Sequence, residues 1–179
     1  MVRKGRGLMI RKALKGDEEG IAKVHVDSWR STYKGIVPDA YLEQLSYEER
    51  AAMWRRAIGG NPLYIAENAD GQIVGFATGG KERSGNIAGY DGELYAIYML
   101  KEAQGKGLGA LLTAAIAKEL EQMGLTSMLV WVLDENPSKS FYERLGGQVI
   151  DETTISIGGE EFLEIAYVWK DLSLLAEKG

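Results

Sequence analysis

The hydrophobic period of this chain changes at one place, and that change limits the folds open to it. Glu93 to Leu100 (ELYAIYML) has the length and composition of a strand, with alternation setting Glu93, Tyr95 and Ile97 on one face. From Gly107 to Met123 the apolar residues Leu108, Leu111, Leu112, Ala115, Ile116, Leu120 and Met123 recur at helical spacing and form one stripe. Between them stands Gln104-Gly105-Lys106-Gly107-Leu108-Gly109. A helix entered this way presents unpaired first amides and the positive end of its dipole. Glycines let an anion approach that backbone closely. The segment is therefore a candidate anion site with a physical mechanism.

The flanking elements predict a mixed α/β sheet in one layer, with helices on its faces. Leu8 to Leu14 reads as a strand. Asp17 to Tyr33, a stretch from Pro38, and Tyr47 to about Ile58 read as helices. Leu63 to Asn68 and Ile73 to Gly79 form a hairpin around Asp70-Gly71, followed by a polar loop from Gly80 to Gly92. After the central helix come a strand (Ser127 to Leu133), a helix (Pro137 to Leu145), and a closing hairpin, Gln148 to Ile157 with Glu161 to Val168. With 179 residues, one domain over residues 8–172 is expected. It lies between a loose basic tail (residues 1–7) and a C-terminal tail (residues 173–179).

Composition narrows the chemistry. There is no cysteine, which removes disulfides, thiolate metal sites and a cysteine nucleophile, and fits a cytoplasmic protein. His25 is the one histidine, so no multi-histidine metal site is possible and no metal is expected. Proton chemistry then falls to carboxylates and tyrosines. A net charge of -5 disfavours nucleic acid and favours cationic small molecules. No apolar stretch approaches the roughly 20 residues of a membrane span.

The glycine segment has three readings. It is a flexible connector, or a dinucleotide turn, or a pyrophosphate cradle of another kind. Gly105, Gly107 and Ala110 match the dinucleotide pattern G-x-G-x-x-A, but that turn usually follows the first strand of its fold, and here several strands precede it. The Gly-Lys-Ser/Thr of a P-loop is missing.

A second segment bears on the choice. Gln104-x-x-Gly107-x-Gly109, together with Asn136-Pro137-Ser138-Lys139-Ser140-Phe141-Tyr142-Glu143-Arg144-Leu145-Gly146, resembles the two motifs of the GCN5-related N-acetyltransferase superfamily. The order of elements agrees from about Leu8 to Val168; Gly147 stands where that family usually has phenylalanine. The resemblance implies that the strand before the glycine turn and the strand after the central helix splay apart, and that acetyl-CoA enters the gap. It places the backbone of Ile97, Tyr98 and Met99 against the pantetheine arm. It places the segment Gln104, Gly105, Lys106, Gly107, Leu108, Gly109 and Ala110 around the pyrophosphate, and Asn136 on the arm. It makes Tyr142 the donor to the departing thiolate. Glu93, eleven residues before Gln104, becomes the candidate base, with a chain of waters as the alternative.

The same resemblance builds the acceptor pocket from the first helices, their connecting loop and the last hairpin. Trp29 and Tyr33, four residues apart, supply aromatic walls suited to a cation. The expected reaction is direct acetyl transfer to a primary amine, with small amines or polyamines as acceptors and a homodimer possible. Two alternatives stay open. One is a sensor that binds CoA without turnover; the other is a nucleotide-dependent oxidoreductase using Gly105 to Ala110.

Overall fold

The computed structural model describes residues 2–4 and 7–177. Eight strands form one sheet: β1 (Val2–Lys4), β2 (Leu8–Lys12), β3 (Leu63–Glu67), β4 (Ile73–Lys81), β5 (Gly92–Met99), β6 (Met128–Leu133), β7 (Gln148–Ile157) and β8 (Glu160–Trp169). Their order is β1-β2-β3-β4-β5-β6-β8-β7. Every neighbouring pair is antiparallel except β5 and β6, which run parallel. The helices are α1 (Glu18–Thr32), α2 (Asp39–Gln44), α3 (Tyr47–Ala57), α4 (Leu108–Gln122), α5 (Lys139–Arg144) and α6 (Ser173–Ala176).

Alternation sorts the strand residues onto two cores. Ile65 and Phe76 pack with Ile21, Val24 and Trp54 of α1 and α3. Ala66 and Ala77 point the other way, into a larger cluster with Leu108, Leu112, Ile116 and Leu120 of α4. A third cluster joins Tyr33, Val37 and Leu42 to Leu133, Ile157 and Phe162, so the loop after α1 rests on the closing hairpin. Local signals agree with these elements. Ser46 caps α3 by accepting from the Glu49 amide at 3.2 Å.

The structure departs from the sequence reading at three places. Val2–Lys4 of the expected tail pairs with β2 as a strand. Ser173–Ala176 of the C-terminal tail is a helical turn whose Leu175 and Ala176 are buried in the α4 core. The third difference matters most for the site. Thr78 pairs with Ala96 and Gly79 with Leu94, so Tyr95 is an extra residue in β5. Such a bulge reverses the alternation beyond it. Leu94 and Ile97 both join the α4 core, whereas Ala96 and Tyr98 pack on the α1 side. Ile97 therefore does not share a face with Glu93 and Tyr95.

Candidate active site

β5 and β6 pair at two positions only, Gly92 with Met128 and Glu93 with Leu129. Asp91 pins them there: its carboxylate accepts from the Ser127 amide at 2.9 Å and from the Ser127 hydroxyl at 2.8 Å. Beyond Glu93 the strands part. β5 continues to pair with β4 and β6 with β8, so one backbone edge of each faces a gap. The gap is a cavity of about 480 Å³, walled by Tyr95 to Met99 on one side and Val130 to Leu133 on the other. An extended chain could pair with the open edge as an added strand. Ile97, Tyr98 and Met99 all line it.

One end of the cavity reaches the glycine turn at Gln104 and Gly105. Gln104 folds back, its Nε2 donating to the Met99 carbonyl at 3.4 Å. Gly107 is the cap of α4 at φ 77°, a left-handed conformation that a side chain resists. Lys106 is exposed. Gly107, Leu108, Gly109 and Ala110 lie outside the cavity wall. Leu108 is buried in the α4 core, and Gly109 sits where an added Cβ would stand 2.9 Å from the Phe141 ring. For Leu108 only the backbone is available to a ligand.

α5 and α1 close the other walls. Tyr142 lines the cavity and is buried, with its ring 5.2 Å from Phe141 and 5.7 Å from Tyr167. Burial, with Tyr98 and Tyr33 nearby, raises its pKa, so the hydroxyl keeps its proton. Asn136 and Tyr33 both line the cavity, and Asn136 Nδ2 donates to the Tyr33 hydroxyl at 3.0 Å. Trp29 stands beside Tyr33 at 4.5 Å between ring centres and close to Tyr41 and Tyr98. His25 is held in the core: its Nδ1 accepts from Trp54 Nε1 at 3.2 Å and its ring stacks on Tyr98.

Glu93 is buried and lies outside the cavity wall. Its Oε2 accepts from Arg83 Nε at 2.6 Å. Burial raises its carboxyl pKa, and Arg83 opposes that shift. Arg83 and Glu164 do line the cavity, and neither was a candidate from sequence. Glu164 lies on β8 opposite Leu133 of β6. Burial raises its pKa, and no hydrogen bond or ion pair holds it among the described residues. Arg83 sits in a polar loop with no local motif, so nothing in the sequence flagged it. For Glu164, the one available signal was a charge in an otherwise apolar stretch of the final strand.

A family model described as FR47-like protein matches residues 74–156. The chain is 44% identical over 167 residues to YuaI of Bacillus subtilis (strain 168), described as an uncharacterized N-acetyltransferase, covering 93% of this chain and 95% of that protein. The chain belongs to the GCN5-related N-acetyltransferase superfamily. It is an N-acetyltransferase. A mycothiol acetyltransferase of Saccharomonospora viridis is 29% identical over 157 residues. That match covers 81% of this acetyltransferase but 47% of the relative, so the chain spans about half that relative's length. Among solved structures, the PaiA N-acetyltransferase of Thermoplasma acidophilum in complex with coenzyme A superposes with a TM-score of 0.65 and 26% identity, covering 88% of this chain and 97% of that one. No helix among the described residues of the acetyltransferase is long and apolar enough to cross a membrane.

Proposed function

We propose that the enzyme transfers the acetyl group of acetyl-CoA directly to the primary amine of a small molecule. One observation carries the reading. A single cavity is lined by the glycine turn at Gln104 and Gly105, by Tyr142, and by Trp29 and Glu164. In this reading the donor-binding backbone, the proton donor and an acidic, aromatic acceptor wall share one space.

The open edge of β5 at Ile97, Tyr98 and Met99 suits the amides of the pantetheine arm, and Asn136 supplies a further polar contact. The backbone from Gln104 to Ala110 suits the pyrophosphate, because a helix start offers amides and partial positive charge. Lys106 adds a positive charge from solvent. Attack by the amine nitrogen on the thioester carbonyl forms the C–N bond, and collapse of the tetrahedral adduct breaks the C–S bond. The Tyr142 hydroxyl gives its proton to the departing thiolate. The amine must shed its own proton. Glu164 is the carboxylate that lines the cavity, and burial raises its basicity, so we assign that proton to Glu164. Glu93 acts at one remove, by holding Arg83.

The reading is tested by incubating the protein with acetyl-CoA and an amine panel and analysing products by mass spectrometry. An acetylated amine formed in equal amount with free CoA supports it. Hydrolysis of acetyl-CoA without acetylated amine would sink it.

A further inference from the structure

Arg83 and Glu164 bring a basic and an acidic side chain to the wall of the cavity. Arg83 projects from the loop after β4 and is held in two ways. Its Nε donates to the buried Glu93 at 2.6 Å, and its guanidinium lies 4.2 Å over the Tyr95 ring. Tyr95 is itself tied down, its hydroxyl donating to the Lys81 carbonyl at 2.5 Å. Glu93 and Tyr95, two residues apart on β5, both contact Arg83. With Nε occupied, the two terminal nitrogens of the guanidinium remain for another acceptor. That fork matches the two oxygens of a carboxylate. The Arg83 side chain keeps 62% of its exposure, whereas Glu93 keeps 4%, so the ion pair has a buried anchor and an open face. Glu164 lines the same cavity from β8; Arg83 is near enough to act on its charge, but no hydrogen bond or ion pair holds its carboxylate among the described residues. An ammonium beside it would gain a partner, and Trp29 offers an aromatic face nearby.

We infer that the acceptor is a small zwitterion, an amino acid class compound whose carboxylate is received by Arg83 and whose ammonium is received by Glu164. This rests on the amine-acetylation reading and narrows it. A purely cationic acceptor such as a polyamine would meet Arg83 as a like charge, whereas a zwitterion satisfies both groups. Glu93 and Tyr95 are positioning residues in this account, because they act through Arg83.

The test uses matched pairs that differ by one carboxylate: leucine against 3-methylbutylamine, phenylalanine against 2-phenylethylamine, and ornithine against putrescine. Two readouts are taken on the CoA-bound protein: binding by calorimetry, and kcat/KM for acetylation. The account expects at least one amino acid to be preferred over its decarboxylated partner by tenfold or more, the difference lying in Kd and KM. Arg83→Gln is expected to collapse that ratio towards one. Because Arg83→Gln leaves Glu93 buried without a cation, Arg83→Lys serves as the second variant. It keeps the charge but not the fork, and is expected to give an intermediate ratio. Equal binding and equal turnover of both members of every pair would overturn the zwitterion assignment while leaving amine acetylation standing. So would a preference that survives both Arg83 variants. Tight, Arg83-dependent amino acid binding without acetylation would support the charge assignment and remove the catalytic reading instead.

Discussion

The Asn136 side chain donates to the Tyr33 hydroxyl at 3.0 Å, joining two buried groups that stand 103 residues apart. The other end of the same amide accepts from the Ser138 backbone N–H at 2.8 Å. One side chain thus ties the end of α1 to the entry of α5. The pair also fixes which way the amide faces, since its oxygen is committed to Ser138 and one N–H to Tyr33.

Breaking that link should cost stability. Asn136→Ala leaves the Tyr33 hydroxyl without its donor and removes the Ser138 contact, for an expected loss of about 1–3 kcal/mol. Tyr33→Phe removes the hydroxyl cleanly and should cost about 1 kcal/mol. Urea unfolding of the two single variants and the double variant checks this. A coupling energy of at least about 0.5 kcal/mol is expected, and strict additivity would show that the bond contributes nothing.

Tyr142→Phe should separate chemistry from binding. The ring packs among Phe141, Tyr167 and Trp169, and phenylalanine preserves that packing. Turnover is expected to fall about 10²-fold or more, the range for a lost general acid, with acetyl-CoA affinity little changed. Pre-steady-state turnover and equilibrium binding measured on the same preparation distinguish the two. Parallel losses in both would move Tyr142 from catalysis to binding.

The glycines of the turn should fail in different ways. Gly107→Ala forces a side chain into a left-handed conformation, at a cost of about 1–2 kcal/mol, and disturbs the amides at the start of α4. Acetyl-CoA affinity should drop. Gly109→Ala instead presses a Cβ to 2.9 Å from the Phe141 ring and 3.2 Å from Met99 Cε. Thermal unfolding should record that overpacking first, with an expected loss of about 1–3 kcal/mol.

His25 predicts a pH dependence of stability. Burial lowers its pKa from 6.5 to about 4, and Arg50 adds to the shift. Between those two values the unfolded chain binds more protons than the folded one, so stability is lost as pH falls through the window. The loss is on the order of 3 kcal/mol at most. Glu93 and Glu164, whose pKa values are raised, act in the opposite sense and gain stability on acidification from above. The comparison is therefore with His25→Asn, which offers an acceptor to Trp54 without titrating. The variant should show a shallower decline below pH 6.5 in denaturant midpoints, and an identical decline would contradict the assignment.

Much of this architecture is legible in the residue pattern, for local reasons. The α4 stripe, the glycine turn and the Asn136-to-Tyr142 segment are contiguous, and each carries its chemistry in its own spacing. What the pattern hides is non-local. The extra residue at Tyr95 leaves no mark in an apolar strand, yet it separates Ile97 from Glu93. The Arg83–Glu93 pair depends on where a polar loop folds back, and of the two it is Arg83 that lines the cavity. Glu164 reads as an ordinary charge in a hairpin until β8 is placed beside β6. The Tyr33–Asn136 bond joins two residues read for different ligands. Val2–Lys4 and Ser173–Ala176 read as tails in the sequence because short segments hold little periodicity, and their structure comes from β2 and α4.

The central claim is acetyl transfer from acetyl-CoA to an amine in the cleft between β5 and β6. Its most direct test follows CoA release with a thiol-reactive dye across amino acids, their decarboxylated amines, polyamines and short peptides. The chain contains no cysteine, so the protein adds no thiol signal of its own. The account predicts amine-dependent release that saturates with one acceptor class and falls about 10²-fold or more in Tyr142→Phe. Release that is indifferent to every amine, or unchanged by Tyr142→Phe, would contradict it.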